Sequence, residues 1–225
     1  MTLQTRLFRV LAVALLTGIT ACATESHKAV QTERPASAGT AYQGIPQALV
    51  VGKFDNRSTY LRGMFSDGVD RLGGQAKTIL IGHLQTTGRF EVLDRDNLEE
   101  LAREARISGE AQTLHGAKYA LTGDVVEFGR KESGDKQLFG ILGSSKTQVA
   151  YSKVTINVVD VKTSRVVHSV QGAGEYALSS REVVGFGGSA SYDSTLNGKV
   201  LDLSIREAVD RLVESMEKGS WAATR

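Results

Sequence analysis

The sequence contains a single cysteine, Cys22, among its 225 residues. One thiol cannot form a disulfide within the chain, and it cannot supply a cysteine-based zinc site. The four histidines also lack the spacing that metal ligands show on a helix or hairpin, so we expect no metal and no cofactor. We place one histidine in an N-terminal linker and expect the other three on the surface or in loops. The histidines are His27, His83, His115 and His168.

A net charge is also missing once the first residues are set aside. The chain has 27 basic and 25 acidic residues, and its first 21 residues hold the basic Arg6 and Arg9 but no acidic residue. The 25 basic residues that remain equal the 25 acidic ones. Because nucleic-acid binding requires a basic patch or stripe, this balance argues against a nucleic-acid partner. Apolar residues make up 41% of the chain, which is typical of a globular protein.

A short apolar run, Val10–Leu16, follows the two arginines and leads through small residues to Cys22. This order is that of a secretory signal peptide, and the run is too short to span a bilayer comfortably. We therefore assign residues 1–21 to a signal peptide. The end of this segment, Ile19–Cys22 (ITAC), resembles the lipobox of bacterial lipoproteins, in which the cysteine is lipidated and becomes the mature N-terminus. The alternative is an ordinary cleaved signal peptide followed by a chance cysteine.

The residue after the cysteine is Ala23. Lipoproteins that stay in the inner membrane usually have aspartate there, so the resemblance implies an anchor on the periplasmic face of a Gram-negative outer membrane. The next residues are polar, lack hydrophobic periodicity and include both prolines of the chain, Pro35 and Pro46. This composition predicts a lipidated N-terminus with a flexible tether over residues 22–47.

Beyond the tether, short apolar runs alternate with helical patterns. We predict strands at residues 48–54, 90–93, 119–128, 149–161 and from 165 onward, and in the fourth strand Val154, Ile156 and Val158 alternate with polar residues on one dry face. We predict helices at residues 65–87, from a cap at Asp96 onward with Glu99 as its capping-box partner, and at residues 199–218. The second of these helices is expected to bury Leu98 and Leu101. This order indicates an α/β fold, a mixed β-sheet flanked by helices, in one domain over residues 48–218. In the C-terminal tail, residues 219–225, Trp221 is either an interfacial anchor or a chain-end contact.

Two segments, residues 129–147 and 176–198, do not fit a compact domain. Both are rich in glycine and serine. Loops of this length are uncommon inside a compact domain and are usually functional or mobile. We therefore expect these two long glycine-rich segments to be functional or mobile.

Three motifs point to a known family: Leu84-x5-FEVLDR ending at Arg95, GAKYALTG at residues 116–123, and VVDVKT at residues 158–163. Together with the lipobox and the closing helix, they resemble the curli secretion-channel lipoproteins of the CsgG/HfaB type over about residues 48–216. The resemblance implies a CsgG-like periplasmic domain and a homo-oligomeric ring of about nine subunits. In channel-forming members each subunit contributes two hairpins to a shared transmembrane channel, through which unfolded amyloid or adhesin subunits cross. Residues 129–147 and 176–198 lie where the family inserts those hairpins, so the resemblance implies two long glycine-rich β-hairpin segments there. Secreted fibre subunits and accessory assembly proteins are the partners that this implies.

Channel members of this family form a narrow ring with residues between the first strand and the first helix. An ungapped match places Gly63, Asp67 and Gly68 where those members have tyrosine, asparagine and phenylalanine. Aromatic and apolar side chains nearby could line a narrowing instead, although Phe65 is alternatively the first core residue of the helix. The dipole of the helix also favours an acid such as Asp67 in its first turn. The constriction-loop candidates are Tyr60, Met64, Phe65 and Asp67.

A membrane-spanning strand needs about 9–11 residues that alternate apolar and polar side chains. Neither face of the first segment is apolar, and the second segment alternates only in part. A lysine or arginine facing lipid near the midplane costs about 2–4 kcal/mol, so the pattern supports tall membrane strands weakly. The residues best suited to contact a membrane or a partner are Phe139, Ile141, Leu142, Val184 and Phe186.

The sequence contains no recognisable set of catalytic residues. The stretch Gly185–Ala190 matches neither a dinucleotide-binding nor a Walker motif, and Ser189 has no GxSxG context. We therefore predict a protein that is not an enzyme and acts as a subunit of a curli-like secretion apparatus in the outer membrane. The alternative is a non-channel periplasmic lipoprotein that serves as a scaffold or regulator of cell-envelope assembly.

Overall fold

The computed structural model describes residues 32–60, 69–136, 144–182 and 195–222. In these ranges the chain forms five strands and three helices. The strands are β1 (Gln47–Asn56), β2 (Phe90–Leu93), β3 (Tyr119–Lys136), β4 (Ser144–Asp160) and β5 (Arg165–Glu182). The helices are α1 (Arg71–Thr86), α2 (Leu98–Ser108) and α3 (Thr195–Glu217).

The five strands form one mixed sheet in the order β2-β1-β3-β4-β5. β1 pairs in parallel with both β2 and β3, whereas β3, β4 and β5 pair antiparallel. The parallel half follows from two strand–helix–strand crossovers, and the antiparallel half from direct connections along the chain. This arrangement confirms the α/β class with a mixed sheet flanked by helices.

The start of α1 is set by its N-cap residue, Asp70. The carboxylate of Asp70 accepts a hydrogen bond of 2.8 Å from the backbone N–H of Gly73. A side chain at Gly73 would collide with the backbone, because its Cβ would lie 2.3 Å from the carbonyl oxygen of Phe54. Val69, which the apolar spacing placed on the helix, precedes the cap and is 57% exposed. Gly88, with a φ of +67°, follows the end of the helix.

The core lies between the sheet and the two long helices. α3 packs on β4 and β5, α1 packs on β1, and the two helices contact each other. The alternation predicted for the fourth strand is confirmed, since Val154, Ile156 and Val158 are fully buried. The other fully buried large side chains are Leu49, Leu80, Leu84, Leu121, Val125, Leu201, Ile205, Leu212 and Met216.

Helix α2 differs from the sequence expectation. It contains no buried residue, and Leu101, which we expected in the core, is 44% exposed. The capping box predicted from Asp96 and Glu99 does not form, because the N-cap is Asn97 and it makes no side-chain cap bond. The carboxylate of Asp96 pairs instead with Lys77 on α1.

The N-terminal linker also differs. The chain divides into two compact units, Met1–Glu33 and Arg34–Arg225, and residues 32 and 33 are the part of the first unit that the structure describes. The second unit begins inside the predicted tether. Its residue Pro35 is buried, and Ala36–Gly39 form a 3-10 turn that packs near α3. Ordered structure therefore begins near residue 35, inside the segment 22–47 that we expected to be a flexible tether.

The C-terminal tail packs into the core through Trp221, which is 9% exposed. Its indole N–H donates to Ser215 Oγ at 3.0 Å, and its carbonyl oxygen accepts from Tyr119 Oη at 3.0 Å. The Tyr119 and Trp221 rings meet edge to face at 5.0 Å. Trp221 is therefore a chain-end contact.

His83 is not the surface residue that we expected. It is 8% exposed, and its Nε2 lies 2.7 Å from Oδ1 of Asp202, which joins α1 to α3. Arg206 donates to the other oxygen of this carboxylate at 2.9 Å. Burial acts to raise the pKa of Asp202, but the hydrogen bond and charge of His83 and those of Arg206 outweigh it and hold this pKa below its usual value. By contrast, His115 is exposed, as expected.

Candidate functional site at the base of the strand extension

The sheet continues on one side as three strands only. The pairing of β1 with β3 ends at Asn56 and Val125, whereas β3, β4 and β5 stay paired as far as Lys136, Ser144 and Glu182. We call residues 126–136, 144–153 and 173–182 the extension. Within the described residues, the first glycine-rich segment, residues 129–147, therefore forms a hairpin. The second, residues 176–198, forms a strand up to residue 182, but its last residues, 195–198, belong to α3.

A bulge marks the point where the extension leaves the domain. The register of β3 against β4 shifts between Val125 and Glu127, so Val126 is an extra residue, and it is 39% exposed. Such a bulge changes which residues face each side of the sheet. As a result Val125 before it and Phe128 after it are both buried on the helical face.

Both edges of the extension lack a neighbouring strand among the described residues. Past Val125 no strand pairs with the outer side of β3, and β5 is the last strand of the sheet. Unpaired N–H and C=O groups at such edges are ready to pair with another strand. One of these groups is already satisfied, since the N–H of Ala173 donates to Glu207 on α3 at 2.8 Å.

A polar chain of three side chains lies under the base of the extension, on the helical face. Arg130 Nε donates to Asn197 Oδ1 at 2.7 Å, and Asn197 Nδ2 donates to Tyr60 Oη at 2.7 Å. The Tyr60 ring also packs against the ring of Phe128, with 4.9 Å between centroids. This chain joins the turn after β1, the strand β3 and the start of α3 at one place. We call Tyr60, Phe128, Arg130 and Asn197 the base cluster.

Hydrogen bonds also hold both ends of the segment at residues 61–68. Before it, Asn56 Oδ1 accepts from the backbone N–H and the hydroxyl of Ser58, while Asn56 Nδ2 donates to the carbonyl of Tyr60 at 2.8 Å. After it, Asp70 accepts from the backbone N–H of Asn56. The predicted constriction residue Tyr60 thus lies at the base cluster. The other candidates, Met64, Phe65 and Asp67, lie outside the described residues.

The opposite face of the extension carries a shallow pocket of about 810 Å³ lined partly by charged side chains. The Lys131 ammonium lies 5.2 Å from the centre of the Tyr151 ring, and Lys153 is 3.7 Å from Glu127. A Cβ on Gly129 would lie 2.6 Å from the hydroxyl of Tyr151, so a side chain there would displace this ring. The face therefore offers an aromatic ring between charges of both signs.

The remaining predicted site residues lie outside the described residues. They are Cys22, Phe139, Ile141, Leu142, Val184 and Phe186. Among the described residues, no three side chains of the metal-binding types come together in a way that could hold an ion. Within the same ranges, none of the helices combines the length and apolar character needed to cross a membrane.

Sequence reasoning missed Arg130 and Asn197. Both lie in the two glycine-rich segments, and 67 residues separate them along the chain. A polar pair at such a distance has no local sequence pattern. The one available signal was that Asn197 stands next to the predicted start of the last helix, where asparagine often has a structural role.

Comparison with known proteins gives two strong matches. The model of a family described as the curli production assembly/transport component CsgG matches residues 32–224. A curated protein of Neisseria meningitidis serogroup B that is named as a lipoprotein is 57% identical over 216 residues. The match covers 96% of this chain and 97% of that protein.

Solved structures match at a much lower level. The PelC dodecamer from Paraburkholderia phytofirmans is 16% identical, covers 76% of this chain and 93% of its own, and has a TM-score of 0.35. The lipoprotein GNA1162 from Neisseria meningitidis is 15% identical, covers 77% of this chain and 99% of its own, and has a TM-score of 0.36. Similarities of this size do not extend to assembly or function.

Proposed function

The chain belongs to the CsgG family, and from this premise we propose that it is an outer-membrane lipoprotein and a subunit of a homo-oligomeric secretion apparatus. Lipid chains on Cys22 would anchor it on the periplasmic side of the outer membrane, at about 0.8 kcal/mol per buried CH2 group. Unfolded fibre or adhesin subunits would then cross through the assembly. The protein would act by forming a passage and not by chemistry.

One observation carries this proposal: within the part of the chain that the structure describes, the three-stranded extension has an unpaired edge on each side. Pairing of the β5 edge of one copy with the β3 side of the next would satisfy both rows of backbone groups. Natural edge strands avoid such pairing with proline, lysine or short length. β5 has 18 residues and contains neither proline nor lysine, and the charged residues in its part of the extension are Glu175, Arg181 and Glu182.

The base cluster supports a link between the extension and the predicted constriction loop. Tyr60 is tied to Arg130 through Asn197, and residues 61–68 begin directly after it. A displacement of β3 or α3 would therefore move the start of this loop. In a ring of identical copies this contact would set the position of the loop from each subunit.

The experiment uses a proline that blocks one edge without breaking the sheet. The N–H of Ala173 points away from β4 toward Glu207, so the N–H groups of Glu175 and Ala177, two and four residues later, also point outward. Ala177→Pro removes an outward N–H and leaves the pairing with β4 intact. Ala177→Val is the matched control, because it adds apolar volume but keeps the N–H.

The measurement is the conductance of lipidated full-length protein in planar bilayers, with oligomeric state measured on the same samples. We expect conductance steps and large oligomers for the natural chain and for Ala177→Val, and a loss of both for Ala177→Pro. Equal oligomers and conductance in all three would show that the β5 edge is not the contact between copies. Non-conducting monomers of the natural chain would contradict the passage itself.

A second function, a non-channel scaffold or regulator of envelope assembly, has its own supporting observation. The pocket face of the extension presents Glu127, Lys131 and Lys153, and charges on a lipid-facing surface are costly. Such a face suits a protein partner in the periplasm better than lipid. Non-conducting lipidated protein, together with a soluble monomer after Cys22→Ser, would favour this function.

A further inference from the structure

The described residues just before β1 are held on the domain in an unusual way. Residues 35–42, which we call the strap, run beside α3 and end at Tyr42. The 3-10 turn at the centre of the strap, Ala36–Gly39, has no buried residue. Apolar contacts are confined to the two ends of the strap, where Pro35 is buried and Tyr42 packs against the core, and polar contacts hold the turn between them.

The first contact is the carboxylate of Asp210, on α3. Its Oδ2 accepts from the backbone N–H of Ala36 at 2.9 Å. Its Oδ1 accepts from the backbone N–H of Ser37 at 2.9 Å and from the Ser37 hydroxyl at 2.7 Å. Three donors of the strap thus converge on one charged group, and hydrogen bonds to charged groups are about twice as strong as neutral ones.

The second contact is the guanidinium of Arg89, whose side chain is 3% exposed. Nη1 donates to the carbonyl of Ser37 at 2.9 Å, and Nη2 donates to the hydroxyl of Thr40 at 2.7 Å. Nε donates to Glu217 at 2.6 Å, which compensates the buried charge. The same guanidinium lies 5.3 Å from the centre of the Tyr42 ring.

We propose that Asp210 and Arg89 form a binding site for the N-terminal arm of the chain itself. While the strap is bound, the arm between Cys22 and the domain ends at Arg34. Once the strap is released, the arm extends to Gln47. The proposal rests on the proposed lipid anchor at Cys22 for its biological meaning. The site sets the length of chain between the membrane and the domain, and release of the strap lengthens that connection.

The length of chain between Cys22 and the domain differs enough between the bound and the released strap to be measured. Twelve residues separate Cys22 from Arg34, and they span at most roughly 40 Å when fully extended. With the strap released, the 25 residues to Gln47 span up to roughly 85 Å. For a random-coil arm the mean end-to-end distances are about 19 Å and about 28 Å.

The site suits reversible binding. Asp210 accepts from two backbone N–H groups and one hydroxyl of the strap, and Arg89 donates to a carbonyl and to the Thr40 hydroxyl. The strap side chains in these bonds are small. Most of the binding comes from the hydrogen bonds to the two charged groups, which are stronger than neutral ones. A single substitution at Asp210 therefore removes a large share of the binding without touching the core.

The experiment compares Asp210→Ala with Glu214→Ala. Glu214 lies one turn further on the same helix and pairs with the exposed Lys218, so its removal controls for the loss of an acid on α3. Amide hydrogen exchange of a peptide covering residues 35–42 is measured in the full chain. We expect exchange at least tenfold faster in Asp210→Ala, with peptides of β1 and α3 unchanged, and no effect in Glu214→Ala.

A second variant acts from the strap and leaves the domain sequence intact. Ala36→Pro removes one of the backbone N–H groups that donate to Asp210. The backbone tolerates the change, because the extended ψ of 145° at Pro35 accommodates a following proline. We expect the same acceleration to a smaller degree. Unchanged exchange of residues 35–42 in both variants would overturn the proposed site.

The predicted change in the distance between the domain and the membrane can be tested without lipidation in a cell. Because Cys22 is the one cysteine of the chain, it can be coupled selectively to a maleimide phospholipid in a supported bilayer. Neutron reflectometry should place the Asp210→Ala protein about 10 Å farther from the bilayer than the natural chain. Equal distances would overturn the proposal, and this result is independent of whether cells lipidate Cys22.

Discussion

At the scale of single residues, the contacts that hold this domain together join positions far apart in the chain. His83 and Asp202 are separated by 119 residues, and Tyr119 and Trp221 by 102. Neither pair has a local sequence signature. For this reason a sequence reading places His83 on the surface and leaves Trp221 undecided, although both are buried.

The lowered pKa of Asp202 predicts how stability depends on pH. A carboxyl whose pKa is lower in the folded state stabilises the fold above its unfolded pKa of about 3.9, and this contribution is lost as pH falls through the folded value. Asp202→Asn should therefore lower the free energy of unfolding by about 1–2 kcal/mol near neutral pH, since the side chain is partly exposed.

The difference between the natural chain and Asp202→Asn should shrink as the pH falls below about 4. Urea denaturation between pH 3 and pH 7 measures it, with Glu104→Gln on the exposed face of α2 as the control. A difference that stays constant over this range would show that the charge of Asp202 does not stabilise the fold.

At the scale of elements, apolar patterns predict the strands and helices that pack on the core. The alternation in β4 and the spacing in α1 and α3 identify buried positions because one side of each element faces the core. The extension could not be predicted as strand in the same way. Residues 129–136 (GRKESGDK) have no apolar face, and their strand conformation comes from backbone pairing with β4.

Glycines in β5 illustrate a second limit of the sequence. Gly172 and Gly174 suggest a flexible segment, yet a Cβ on Gly172 would lie 2.0 Å from the carbonyl oxygen of Ser204 and 2.5 Å from the N–H nitrogen of Ala208. The backbone of β5 therefore packs directly against α3. The close approach of strand and helix, not flexibility, explains this glycine.

Substitution of this glycine tests the packing of β5 on α3. Gly172→Ala should lower the free energy of unfolding by about 1–3 kcal/mol, because the strand and the helix must separate to admit the methyl group. Gly74→Ala is the matched control, since a Cβ there meets nothing within 4 Å and alanine favours the helix by about 0.5–1 kcal/mol. If denaturant unfolding showed Gly172→Ala to be more stable than Gly74→Ala, the close packing of β5 on α3 would be refuted.

At the scale of the whole molecule, the family motifs describe the fold more than the function. Residues 119–123 of the second motif form the start of β3 in the centre of the sheet. A Cβ on Gly123 would lie 2.4 Å from the Phe54 ring and 2.6 Å from the carbonyl of Thr155. FEVLDR supplies the edge strand β2. These motifs are therefore needed for the domain itself, whereas the secretion role that we propose depends on the extension and on assembly.

The most direct measurement is electron microscopy of the lipidated full-length protein extracted in detergent. If copies join through the open edges of their extensions, the images should show closed rings with the extensions gathered at one end. Single subunits, or rings in which the extensions remain apart, would contradict the account.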